Sequence, residues 1–133
     1  MGFLTPFSAP LLSVLRIMSA LLFMAHGTAK LLGWPPTEMF ATPPEAMTLM
    51  WFAGVLELVG GALLALGLLT RPVAFVLSGQ MAFAYFIGHA SQAFWPVQNG
   101  GDASILFCFV FLYIAAAGGG PWSLDSALFK KRA

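Results

Sequence analysis

Residues 10–32 read PLLSVLRIMSALLFMAHGTAKLL. About 20 mainly apolar residues are needed for a helix to cross the hydrocarbon of a bilayer, and this stretch has that length. Its polar members are not scattered. At about 100° per residue, Arg16, Ser19, His26, Gly27 and Lys30 fall within one arc of about 120°. The rest of the helix surface is left for lipid, and the polar stripe must face protein or water. A cleaved leader would read differently. No basic cluster precedes this segment, and it is longer than the apolar core of a signal peptide. It therefore reads as a retained span.

The whole chain supports that reading. It has 133 residues, 59% of them hydrophobic and 8% charged, with a mean hydropathy of +0.87. Soluble domains carry about 25% charged residues. The excess apolar surface calls for a lipid solvent, which places the protein in the plasma (inner) membrane as a multi-pass protein. Three further segments reach or approach spanning length: residues 47–69, 72–94 and 103–118. Trp34-Pro35-Pro36, Thr70-Arg71-Pro72, Trp95-Pro96 with Asn99-Gly100-Gly101, and Gly118-Gly119-Gly120-Pro121 punctuate them. The expected fold is all-α, an integral membrane four-helix bundle in a single domain spanning residues 1–133. Orientation follows from the short loops. Arg71 lies in the second connection and Lys130, Lys131 and Arg132 in the tail, while the other two connections carry only Glu38, Glu45 and Asp102. Both termini are therefore predicted to be cytoplasmic. Residues 122–129 are expected to lie along that membrane surface.

Ionisable groups inside a span need partners, and each marks a candidate site. Glu57 is the single charge of the second segment, flanked on its stripe by Gly54 and Gly61. Arg16 is expected about 9 Å from the inner edge and Glu57 about 15 Å from either edge. These depths predict a structural ion pair between Arg16 and Glu57. The third segment aligns Ser78, Met81, Tyr85, His89 and Gln92, with Gln80 nearly opposite. His26 and His89 fall at similar depth near the outer surface. The expected construction is an outward-facing pocket rimmed by His26, Lys30, His89 and Asp102, with Glu57 and Arg16 deeper. Candidate catalytic groups are Glu57, His26 and His89.

Two histidines on two helices could hold a haem iron. They could also hydrogen-bond the carbonyls of a quinone and relay its proton, since histidine titrates near neutrality. Both could be ordinary interfacial histidines. Quinone is the better fit and haem the lesser one. No spacing suits a zinc site, so no metal is expected. Cys108 is the only cysteine and reads as a small buried hydrophobe. A net charge of +1 without a broad basic surface excludes nucleic acid as a partner. The expected partners are the lipid bilayer and either other membrane subunits or further copies of the chain.

In order along the chain stand Arg16, His26-Gly27, Lys30-Leu31, Glu57-Leu58-Val59-Gly60-Gly61, Leu66-Gly67-Leu68-Leu69-Thr70-Arg71, His89, Phe94-Trp95-Pro96, Asn99-Gly100-Gly101 and Trp122-Ser123-Leu124-Asp125. This ordered set resembles the DoxX family of small four-helix membrane proteins. Family members often carry glutamate after the paired glycines, where this chain has Asp102. The resemblance implies a subunit of a quinone-linked membrane oxidoreductase, since the family is named for a subunit of a thiosulfate:quinone oxidoreductase. Other members are linked to membrane oxidative-stress complexes. Thiosulfate chemistry itself also involves a partner subunit and is not carried over. The competing readings are a non-catalytic scaffold or assembly subunit and, more remotely, a small-molecule transporter.

Overall fold

The computed structural model describes residues 2–129. Every regular element among them is helical. A 3-10 turn over Gly2–Phe7 leads into α1 (Ser8–Leu32). A second 3-10 turn (Glu38–Phe40) precedes α2 (Leu49–Leu66). Then follow α3 (Thr70–Gly88), a single turn α4 (Pro96–Asn99), α5 (Asp102–Ala117) and the short α6 (Leu124–Leu128). Two helices are long and apolar enough to cross a membrane by length and composition, the one ending at Leu32 and the one over Leu49–Leu66; α5 is a shorter apolar helix.

Local chemistry explains these limits. Thr48 caps α2 by accepting a hydrogen bond from the Trp51 amide at 3.3 Å, which satisfies one of the free donors of the first turn. Gly67 ends α2 at φ +70°, a left-handed conformation that a residue without Cβ enters freely. Three of the expected boundaries move. The second segment is helical over Leu49–Leu66 rather than 47–69. The connection after it is Gly67-Leu68-Leu69, because Thr70 already begins α3. The third segment stops at Gly88 instead of continuing to residue 94: His89 is its cap, and the chain turns before Trp95-Pro96 starts α4.

The helices pack chiefly in two pairs, α1 with α2 and α3 with α5, joined by fewer contacts between α2 and α3 and between α1 and α5. Ala20 and Phe23 of α1, Leu64 of α2, Ala74, Leu77 and Met81 of α3, and Phe111 and Ile114 of α5 form the common core. Phe23, Phe107 and Phe111 meet ring to ring at centroid distances of 5.0–5.5 Å, geometries that add to simple burial. The outer surface is as apolar as the core. Phe75, Phe83, Phe86 and Phe109 are each at least 64% exposed. Large contiguous apolar surface is unusual on a soluble monomer, and it suits direct contact with lipid.

The α1–α2 pair is set by glycine. A Cβ on Gly27 would lie 2.6 Å from the Leu58 amide nitrogen and 2.9 Å from the Gly54 carbonyl oxygen. The two backbones touch there, as small residues permit in membrane helices. Gly61 meets Met24 in the same way one turn further along. These contacts fix the antiparallel register and therefore decide which polar groups of α1 and α2 can meet.

Candidate functional site

Lys30 is on the same face of α1 as Gly27, one turn on, and Glu57 stands on α2 against that contact. The register brings them together. Lys30 Nζ donates to Glu57 Oε1 at 2.6 Å. Both residues are buried, Lys30 at 8% exposure and Glu57 at 3%. The Phe40 ring covers the ammonium at 5.4 Å from its centroid, a cation–π contact. Glu57 Oε2 is buried and has no hydrogen-bond partner among the described residues. A buried charge pair is compensated only when its remaining lone pairs are satisfied as well, so this oxygen is an open position in the site. His26 lies within electrostatic range of Glu57.

The expected Arg16–Glu57 ion pair is not formed. Arg16 is fully buried, but its guanidinium donates to the carbonyl oxygens of Gly119, Trp122 (2.7 Å) and Ala65 (3.5 Å). It sits beside Gly67, at the α2–α3 connection. The helix register explains this: with Gly27 against Glu57 and Met24 against Gly61, Arg16 falls beside Gly67. Residues 8–15 continue α1 past the end of α2, and the chain after α5 folds over that protruding turn. Ser13 Oγ donates to Gly119 O at 3.3 Å and accepts from the Trp122 amide at 3.1 Å. Protein, not lipid, therefore buries Arg16.

Asp125 completes this second cluster. Leu69, in the N-cap position of α3 at φ +52°, has no side chain able to cap it. The two Asp125 carboxylate oxygens accept from the Leu69 and Thr70 amides, each at 2.8 Å. Burial disfavours the ionised carboxylate, but these hydrogen bonds and the charge of Arg16 outweigh it and hold Asp125 below the usual carboxylate range. Local sequence gives no sign of a cap supplied by a residue so distant in the chain; only the recurring Trp122-to-Asp125 motif pointed to this segment. The surface helix expected over residues 122–129 is a five-residue helix, Leu124–Leu128, tied to the α2–α3 connection. Lys130, Lys131 and Arg132 lie outside the described residues.

The remaining candidates stand apart. His26 is exposed on α1, its Nδ1 2.9 Å from the Leu22 carbonyl and its ring against Phe107. His89 Nδ1 is 2.9 Å from the Asn99 carbonyl. A carbonyl oxygen only accepts, so each Nδ1 carries a proton, and in the neutral tautomer Nε2 is the acceptor. Asp102 is exposed in the first turn of α5. No hydrogen bond or ion pair among the described residues links His26, His89 or Asp102 to Lys30 or to one another. The expected four-residue rim is thus divided: Lys30 and Glu57 form a pair with His26 nearby, while His89 belongs to a separate knot with Asn99 and Tyr85. There Asn99 Nδ2 donates to Tyr85 Oη at 3.2 Å and the Gly101 amide donates to Asn99 Oδ1 at 2.8 Å. Sequence reading missed Asn99, which is 4% exposed; an Asn-Gly-Gly run reads as a turn and hides a buried amide. Among the described residues no cluster of three metal-binding side chains occurs.

Comparison with known proteins bears on the same conclusions. An uncharacterised protein of Haemophilus influenzae is 42% identical over 123 residues, covering 90% of this chain and 92% of its own. The inner membrane protein YqjF of Escherichia coli is 30% identical over 122 residues, covering 89% of this chain and 92% of its own. An uncharacterised membrane protein of Mycobacterium tuberculosis, Rv3486, is 28% identical over 142 aligned positions, with 92% and 83% covered. No solved structure matches significantly. The localisation read from composition stands: the protein resides in the plasma (inner) membrane, in contact with its lipids. The sequence model of the DoxX family matches residues 11–90, the segment that carries Arg16, Lys30 and Glu57, and the chain belongs to the DoxX family.

Proposed function

We infer that the protein is a quinone-associated redox subunit of a membrane oxidoreductase complex, with Lys30, Glu57 and His26 as its polar centre. The observation that carries this reading is the spare oxygen of Glu57. A carboxylate held by an ammonium through one oxygen, with the other buried and unpartnered, is ready to accept a hydrogen bond from a hydroxyl. Lys30 supplies positive charge for an oxygen that becomes anionic. His26 offers Nε2 as a proton acceptor on a surface open to the bilayer, where quinones dissolve. Bound quinone would supply the two-electron chemistry. The chain's own residues would orient it and hold or release protons, and a partner subunit would exchange the electrons.

The same reading includes four spans with both termini in the cytoplasm. α3 and α5 are about 28 and 24 Å long at 1.5 Å per residue, close to the thickness of the hydrocarbon. Their mutual packing parallels that of α1 with α2. Arg71 at the α2–α3 connection and the basic tail favour the cytoplasmic side for that end.

The test is purification from native membranes in mild detergent, followed by quinone extraction and an oxidised-minus-reduced spectrum. Stoichiometric quinone, lost in Glu57→Gln and His26→Gln variants that remain folded, is expected. Neither quinone nor a Soret band would sink this reading. The alternative is a non-catalytic scaffold or assembly subunit, favoured by the way His89 Nδ1 ties the end of α3 to the Asn99 carbonyl. Under that alternative the same variants would change recovery of a partner and no bound cofactor.

A further inference from the structure

The cluster around Arg16 borders a surface feature that the redox reading does not use. A cleft of about 460 Å³ opens between the start of α3, the end of α5 and α6. Leu69, Pro72 and Phe129 make part of its wall apolar, and Arg71 and Ser126 bring polar groups to it. The Arg71 guanidinium lies flat on Gly118, 3.3 Å from the place a Cβ would occupy. Its Nη atoms donate to the last carbonyls of α5, those of Ala115, Ala116 and Ala117. Its Nε–H makes no hydrogen bond among the described residues, nor does the Ser126 hydroxyl. Arg71 is exposed as a residue and lines the cleft. The acidic residue of the cleft, Asp125, has both oxygens committed to the Leu69 and Thr70 amides and is offset by Arg16 behind it. Beyond Phe129 the sequence continues as Lys130-Lys131-Arg132.

We propose that this cleft binds the phosphate of an anionic phospholipid headgroup, with the Arg71 Nε edge and the Ser126 hydroxyl as donors. An N–H of a charged guanidinium makes a charge-assisted hydrogen bond to a phosphate oxygen, stronger than one between neutral groups. The apolar wall beside it suits the glycerol and first methylenes of a lipid, whereas a free ion would leave that wall unused. The position agrees: the cleft lies where α2 and α5 end and α3 begins, at the level of a membrane surface. This rests on α3 and α5 crossing the bilayer as inferred above, but not on the redox assignment.

The experiment is native mass spectrometry of the full-length protein released from nanodiscs. One set contains phosphatidylcholine alone and the other phosphatidylcholine with phosphatidylglycerol. One retained phosphatidylglycerol per chain is expected, about tenfold reduced in Arg71→Gln and about threefold in Ser126→Ala. Arg71→Lys separates binding from folding, because it loses the flat cap on α5 but keeps the charge; it should retain a clear part of the lipid. Equal retention by wild type and Arg71→Gln would overturn the proposal. So would loss of the retained phosphatidylglycerol on adding millimolar inorganic phosphate alone, which would mark a free-anion site. Failure of the topology would show separately: Ser126→Cys in a Cys108→Ala background should react with a water-soluble maleimide, and protection from it within the bilayer would refute the interfacial placement.

Discussion

At one end of α1 an ammonium meets a single carboxylate; toward the other a guanidinium meets several backbone carbonyls. Lys30 and Arg16 share a helix face and are both buried, yet only Lys30 has an acidic partner at hydrogen-bond distance. The difference follows from the side chains. A compact ammonium concentrates its charge and is well matched by one carboxylate oxygen. A planar guanidinium spreads its charge over five donors and can tie several carbonyls at once. The Lys30 cluster keeps an unpartnered carboxylate oxygen, Glu57 Oε2, among the described residues, a group that can take up a proton or accept a hydrogen bond. The Arg16 cluster uses its Nη donors to fasten the segment after α5 to α1 and α2; what it leaves unpartnered among the described residues is the Arg16 Nε–H, which cannot accept a proton, and the Thr70 hydroxyl.

The largest expected effect comes from leaving Lys30 alone. Glu57→Leu should destabilise the protein by about 3–5 kcal/mol, the usual consequence of removing one member of a buried pair. It should be measured by unfolding in mixed micelles. Lys30→Met combined with Glu57→Leu should regain most of that stability while losing quinone. A double variant as unstable as the single one would mean that the pair is needed for the fold itself, and the contrast between the two ends would collapse.

Arg16→Lys tests the other end. Lysine keeps the charge but cannot reach three carbonyls in one plane. A loss of about 1.5–3 kcal/mol is expected, the scale of a hydrogen bond to a charged group. Residues 118–129 should become sensitive to protease, and quinone content should not change. Loss of quinone in this variant would show that the two clusters are coupled.

Gly27→Ala attacks the register that separates them. The added Cβ would meet the backbone of α2 at 2.6 Å, and backbone cannot yield as a side chain can. Overpacking of this kind costs about 1–3 kcal/mol, and it should also loosen the Lys30–Glu57 pair. Gly79→Ala is the control, since nothing lies within 4 Å of its Cβ. If both substitutions behave alike, close approach of α1 and α2 is not what aligns Lys30 with Glu57.

The same register shows what could be read from sequence and what could not. Helicity, the apolar surface, Glu57 as an ionisable group inside the helix bundle and the polar stripe of α1 are all written in periodicity and composition. The partner of Glu57 was not. The end of an apolar run marks depth only where neighbouring helices end together, and in α1 the run continues past the level where α2 stops. Moving along α1 from Gly27 to Met24 to Arg16 matches moving along α2 from Glu57 to Gly61 to Gly67. Arg16 is therefore about 16 Å along the axis from Glu57. Gly27 held the information needed, because a glycine amid large residues marks close approach, but only the partner helix shows where. Asn99 and Asp125 were hidden for another reason: their bonds close loops or join segments distant in sequence, which no periodicity records.

Asp125→Asn makes the smallest and most selective change. The carboxylate substitutes for an N-cap on α3 and also helps hold the tail segment, so its contribution should be about 1 kcal/mol. Its pKa is lowered in the folded protein, which fixes the sign of the pH dependence. The stabilisation is complete above the ordinary carboxylate range, near pH 4, and is lost as pH falls through the lowered folded value. Hydrogen exchange of the Leu69 and Thr70 amides should be slow at neutral pH, once corrected for the intrinsic rate, and lose protection under strong acid. In Asp125→Asn that protection should already be reduced at neutral pH, with little further acid dependence. The Lys30–Glu57 pair should be untouched by the substitution. If Asp125→Asn also released quinone, the tail would be acting on the far end of α1, and the division between a chemical end and an architectural end would have to be given up.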